Sequence, residues 1–198
     1  MKKLILLSIA LLFLAACKKE EKVAPKAIAP VVTATTTTTP VAATKPDTIP
    51  DQAVFMIRLI KDSTNYDETM FVFNHTSSLD FSPAEDAPYF AGNGQESLAS
   101  FSNDGQGLAV NTLPYQSGMS IALDVNAKTS GAYTLKLSYI NKIPSSISVW
   151  VKDTYKKDSV DMRNVNCNFK IDKADADSFG SKRFKIILKQ ENNKQTGR

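Results

Sequence analysis

The chain carries one histidine, His75, and two cysteines, Cys17 and Cys167. So few ligands do not make a zinc site of the Cys/His kind, which takes four. A Cys-His nucleophile pair also lacks a third group to orient it. His75, in Phe73-Asn74-His75-Thr76, reads as a surface or internally satisfied histidine. Cys167 lies in the alternating stretch Asn164-Val165-Asn166-Cys167-Asn168-Phe169 and reads as a buried small hydrophobe rather than a reactive thiol.

Two groups of carboxylates raise other chemistry. Asp172, Asp175 and Asp177 are closely spaced and followed by Gly180, as a hard cation that wants several oxygens from one turn would need. The twelve-residue calcium pattern is not completed, because Gly180 is displaced and Glu191 lies too far along. A solvated loop between two strands is the simpler reading, and no metal is expected. Glu85 and Asp86 are adjacent on one loop rich in proline. They are poorly placed to flank a glycosidic bond at a separation of about 5 to 9 Å. Tyr89, Phe90, Tyr115, Trp150 and Tyr155 offer rings on which the apolar face of a sugar packs. Tyr89 and Trp150 are the ligand contacts this idea would use. Trp150 sits between Val149 and Val151 and points opposite to both, and membership of the core is the reading preferred for it. No catalytic residue and no cofactor is expected.

The N-terminus specifies an address. Lys2 and Lys3 precede an apolar run from Leu4, which ends in Leu14-Ala15-Ala16-Cys17, the layout of a cleaved leader. Counted to Ala16 the run is about 13 residues, short of the roughly 20 needed to cross a bilayer as a helix. Residues 14–17 resemble the lipobox of bacterial lipoproteins. That resemblance implies cleavage after residue 16, diacylation of the Cys17 sulfur and acylation of its new amino group with palmitate-class chains. Cys167 is then left with no partner for an internal disulfide.

Loss of Lys2 and Lys3 leaves 22 basic residues of the original 24, against 20 acidic. The pI near 8.9 reflects that small surplus, interleaved along the chain, and not a basic patch for nucleic acid. Lys18-Lys19-Glu20-Glu21-Lys22 follows the lipid site. It reads either as a solvated spacer or, by similarity to surface lipoproteins of the Bacteroidetes, as a signal for export to the outer face. From Val23 to Pro50 the chain is Ala, Pro, Thr and Val, with five consecutive threonines from Thr35. Such a segment buries too little apolar area to offset its ordering entropy, and its prolines keep it extended. Residues 17–50 are therefore expected to be a lipidated, disordered tether. Asp47-Thr48-Ile49 and Asp158-Ser159-Val160 resemble the Asp-Ser/Thr-apolar acceptor of Bacteroidetes O-glycosylation, which would place sugar on Thr48 and Ser159.

Residues 51–190 read as one domain. Ala53 to Ile60, Thr69 to Phe73, Gly107 to Leu113, Ser120 to Val125, Ala132 to Ile140, Ile147 to Lys152, Asp158 to Met162, Asn166 to Ile171 and Arg183 to Leu188 carry strand periodicity between turn-forming residues. Tyr133, Leu135, Leu137 and Tyr139 are expected on one buried face. The stretch containing Pro83, Pro88, Gly92 and Gly94 reads as irregular. Eight or nine short strands at this spacing predict an all-β, antiparallel two-sheet β-sandwich after the tether, closed by a polar tail over 191–198.

The pieces Asp67 to Phe73, Leu108 to Pro114, Gly131 to Leu135, Val149 to Asp153 and Arg183 to Ile186 resemble, in that order, the β-sandwich that precedes the sorting domain of type IX-secreted proteins of the Bacteroidetes. The chain departs from that pattern after Gln190, where no sorting domain follows, and the lipid would then serve as the surface attachment. The expected function is non-enzymatic. It is a lipoprotein of the outer membrane that holds an interaction or accessory module at the cell surface. Its partners would be the membrane through the lipid, and a surface protein or glycan. A carbohydrate-binding module of a glycan-uptake system is the alternative, and a hydrolase the least favoured.

Overall fold

A computed structural model of the chain describes residues 48–191. The leader over 1–16, Cys17, the tether up to residue 47 and residues 192–198 lie outside the described residues. Eleven strands form: β1 (Ala53–Ile60), β2 (Tyr66–Phe73), β3 (Ala87–Pro88), β4 (Glu96–Phe101), β5 (Gly107–Leu113), β6 (Ser120–Ala127), β7 (Gly131–Asn141), β8 (Ile147–Asp153), β9 (Asp158–Asp161), β10 (Cys167–Ile171) and β11 (Gly180–Gln190). A single 3-10 turn, Ala176–Ser178, is the one helical element among the described residues.

The fold is all-β, and its strands share one hydrogen-bonded path in the order β10-β7-β1-β2-β5-β4-β6-β11-β8-β9, with β3 added on β5. Every pairing is antiparallel except β2 with β5. The path is continuous and nearly barrel-shaped, where the sequence reading has two separate sheets. The sequence reading also leaves out β3 and β4. Both lie in the stretch taken as irregular, where Glu96-Ser97-Leu98-Ala99-Ser100-Phe101 is too polar to show a strand.

Alternation places the core. In β1, Phe55, Ile57 and Leu59 point inward and the residues between them outward. Phe55 stacks on Phe71 of β2 at 4.5 Å, and Phe169 meets Phe184 edge-on at 4.7 Å. Two irregularities change which side chains are buried. Ser138 of β7 is an extra residue opposite Met56 and Ile57, a bulge that reverses the alternation beyond it. Tyr139, expected inside, is therefore exposed, and Ile140 packs on the core. In β11, the five residues from Gly180 to Phe184 lie against the three from Val125 to Leu123 of β6. Gly180 takes φ +85° there, a value that favours glycine. The result is that consecutive residues Arg183 and Phe184 both face inward.

The described chain enters and leaves at one end of this unit. Near Thr48 the Gln52 N–H donates to the Phe73 carbonyl at 2.7 Å, and at the other terminus the Glu191 N–H donates to the Ser146 carbonyl at 2.7 Å. Val54 pairs with Asn141 and Gln190 with Ile147, which brings these strand ends together. Ile49, inside the segment assigned to the tether, is buried in the core cluster. The opposite end carries the turns after β1, β6, β8 and β10. Lys61 Nζ donates to Thr129 Oγ1 at 2.7 Å, the Lys173 N–H to Ser130 Oγ at 2.8 Å and Tyr155 OH to Asp175 Oδ2 at 2.8 Å.

Candidate functional site

Three places gather chemistry-bearing side chains. The first is the far end of the unit, between the two strands that terminate the path, β10 and β9. Arg183, 1 % exposed, is turned inward by the β11 bulge and meets Asp153, 3 % exposed, at the end of β8. Nε donates to Oδ1 at 3.1 Å and Nη2 to Oδ2 at 2.9 Å. Nη1 donates to the carbonyls of Lys170 (2.7 Å) and Ser178. The guanidinium carbon lies 4.6 to 4.9 Å from the ring centres of Phe184, Tyr155 and Phe169. Asp153 Oδ1 also accepts the N–H groups of Tyr155 and Lys156. Lys156 Nζ reaches the Asn168 carbonyl on the edge of β10 at 2.9 Å. A groove of about 620 Å³ lies over this network. Arg183 and Asp153 satisfy each other's charge, and the network ties the end of β8 to β10 and β11.

The carboxylates of the following loop cap their own turns. Asp172 Oδ1 accepts the Ala174 N–H at 3.0 Å, and Asp175 Oδ1 the Asp177 N–H at 3.0 Å. Among the described residues no cluster of three or more His, Cys, Asp or Glu is placed to hold a metal ion. The Tyr155 phenol is held above its ordinary range by its hydrogen bond to Asp175.

The second place surrounds Asp67 on β2. Asp67 Oδ2 accepts Tyr89 OH at 2.7 Å and the Leu98 N–H at 2.8 Å, which ties the Tyr89 hydroxyl to β2. Burial, with Asp67 beside it, pushes the Tyr89 phenol up. Glu96, at the start of β4, is 6 % exposed, and its Oε1 is enclosed without a partner. Burial raises its carboxyl, which the charge of Lys61 only partly opposes. Asp86 accepts the Thr112 N–H at 2.7 Å and the Ser82 N–H at 2.8 Å, which staples its loop to β5.

The five rings do not gather on one surface. Phe90 is 83 % exposed on the loop after β3. Tyr115 packs edge-on against Phe73 with its hydroxyl enclosed. Trp150 and Tyr155 belong to the β8–β9 hairpin, separated from β5 by β4, β6 and β11. Trp150 is not in the core. It is half-buried on the outer face, with Nε1 donating to Ser148 Oγ at 2.8 Å and Lys189 Nζ 5.5 Å from its ring centre. Thr48 and Ser159 are both exposed. His75 is a surface residue whose Nδ1 lies 2.7 Å from Asp51 Oδ2. The backbone N–H of His75, donating to Asp51 Oδ1 at 2.8 Å, is the main cause of that carboxyl's lowered pKa. Cys167 is buried and free, and burial pushes its thiol up.

The third place has no counterpart in the sequence reading. β4 pairs with β6 only as far as Ser100 and Leu123, while β6 continues along β11 down to Ser120. β5 pairs with β4 only at Gly107 and Leu108 before joining β2. The end of β4 thus opens a wedge between β5 and β6, a cleft of about 360 Å³. Asn111 of β5 lines it from the inner side and is 4 % exposed. Its Nδ2 donates to the Phe101 carbonyl at 3.2 Å and to Ser100 Oγ at 3.4 Å, and its Oδ1 accepts no hydrogen bond from the described residues. Period-two counting from Leu108 puts Val110 inside and Asn111 outside. The buried positions are instead Leu108 and then the consecutive residues Asn111, Thr112 and Leu113.

Comparison with protein-family models, with curated proteins and with solved structures finds no match to the chain.

Proposed function

We propose that the protein is a non-enzymatic lipoprotein of the bacterial outer membrane. It is anchored through Cys17 and presents its strand-built unit at the cell surface as an interaction or accessory module. In this reading the protein is a Bacteroidetes surface lipoprotein, and the halves β10-β7-β1-β2 and β6-β11-β8-β9 act as the facing layers of a sandwich related to that preceding type IX sorting domains. The observation that supports presentation is the placement of both described termini at one end. Loops at the other end are cross-braced by Lys61, Lys173 and Tyr155 and lie at the end of the unit opposite the two described termini. Loops fixed by a rigid scaffold are the usual carriers of recognition.

The experiment has two parts. Cys17→Ser is expected to move the protein from the detergent phase to the aqueous phase, and protease added to intact cells to remove the unit from wild type only. A photo-crosslinker at Ala174, on the far loops, is expected to capture a surface component that one at Ser78 does not. Unchanged partitioning of Cys17→Ser overturns the anchor. Equal capture at both positions overturns the directional presentation.

A further inference from the structure

We propose that the wedge between β5 and β6 is a binding site for a neutral, polyhydroxylated ligand of one or two sugar rings, with Asn111 Oδ1 accepting a ligand hydroxyl at its floor. Among the described residues the enclosed side-chain polar atoms without a partner are Ser77 Oγ, Glu96 Oε1 and Tyr115 OH. Asn111 Oδ1 is not among them, so the cleft reaches it. Its amide is locked by the two bonds that Nδ2 makes, which fixes the oxygen as an acceptor. A buried polar atom in that state has its geometry set before any ligand arrives, and a hydroxyl that meets it replaces a missing bond.

The rest of the lining selects the class. No charged residue lines the cleft, whose polar groups are the amides of Asn103, Asn111 and Gln116 and the hydroxyls of Ser102 and Ser120. Gln116 is exposed at the rim and its side-chain amide makes no hydrogen bond. Phe101 and Met119 supply apolar surface on which the CH face of a ring packs. An anion would lose hydration with no cation to meet it. A peptide strand would find an open edge of only the three residues from Ser120 to Ala122, too short for a ladder. The volume stands at the small end of the range for small-molecule sites, about 300 to 1,000 Å³. The site stands apart from the anchoring at Cys17.

The mature full-length chain, titrated with neutral mono- and disaccharides (methyl glucosides and galactosides, N-acetylglucosamine, cellobiose, maltose, lactose) and with glucuronate, gives the test by calorimetry and amide NMR. At least one neutral saccharide is expected to shift the amides of Phe101, Asn111 and Ile121, with glucuronate bound at least about tenfold more weakly. Asn111→Leu is expected to weaken binding by about tenfold or more. Ser120→Trp, which places a ring over the mouth from an exposed position, is expected to abolish it. If Asn111→Leu does not fold, Ser120→Trp decides. The proposal is overturned if no neutral saccharide shifts these amides, if binding survives Ser120→Trp, or if glucuronate binds as well as its neutral relatives.

Discussion

Arg183 and Asp153 meet through two parallel hydrogen bonds, 3.1 and 2.9 Å long, with both side chains almost fully withdrawn from water. They join β11 to the end of β8, and the two carbonyls that Arg183 also binds extend the link to β10 and to the turn before β11. A buried pair of this kind adds little over an apolar pair of equal volume. Removing one partner, however, strands a charge, at about 3 to 5 kcal/mol.

Asp153→Ala should therefore lower the unfolding free energy by about 3 to 5 kcal/mol. Arg183→Met combined with Asp153→Ala should cost clearly less than the sum of the single changes. Urea unfolding of the four proteins measures both. A single-variant loss below about 1 kcal/mol would show that the pair does not tie β8 to β11.

Glu96 gives a pH signature of a definite sign. Burial raises its carboxyl, so the folded chain binds this proton more tightly than the unfolded chain does. Its contribution to stability is complete below the ordinary carboxylate range and is lost as pH rises through the raised value. Asp51, Asp62 and Asp104 run the other way. Their carboxyls are lowered by hydrogen bonds, and their contribution is lost as pH falls. Glu96→Gln isolates the first effect. It should be more stable than wild type at about pH 7, and the gain should vanish near pH 4 and below. Equal or lower stability of the variant at neutral pH would refute this account.

How much of this was legible differs from strand to strand, for physical reasons. β6 alternates without interruption, and its strand character and faces follow directly from Ser120-Ile121-Ala122-Leu123-Asp124-Val125. β7 shows its first half, but the bulge at Ser138 is set by pairing with β1 and has no local signal, so Tyr139 is misplaced. Arg183 looks like a solvated residue beginning a strand, and only the glycine at 180 hints at the two-residue slip that turns it inward. Asn111 is hidden in the same way, since the split of the sheet at the end of β4 depends on β5 leaving β4 for the distant β2 and on β6 continuing along the distant β11. Local periodicity reports faces where pairing is regular. The candidate sites sit where it is not.

Cys167 should be inert in the folded protein. It is buried on β10 opposite Leu135, and burial disfavours its thiolate. Peptide-resolved mass spectrometry should find its alkylation by iodoacetamide at about pH 8 at least a hundredfold slower in buffer than in denaturing urea. Comparable rates would mean that β10 leaves the sheet readily.

Trp150 is the only tryptophan, so intrinsic fluorescence reports on one outward-facing ring. If it stood in the core, as its apolar neighbours suggest, Trp150→Ala would cost about 3 to 5 kcal/mol and acrylamide would not reach it. Its half-exposed position under Lys189 predicts otherwise. Acrylamide should quench its emission in the folded state, and Lys189→Ala should increase that quenching while changing stability by no more than about 1 kcal/mol. Trp150→Ala should lose less than about 2 kcal/mol, because the ring gives up one hydrogen bond to Ser148 and a partial apolar contact, without opening a sealed cavity. The two outcomes are far enough apart for urea midpoints and a quenching titration to choose between them. A protected ring with a large stability loss would place β8 the other way round in the wall, with Val149 and Val151 turned to solvent.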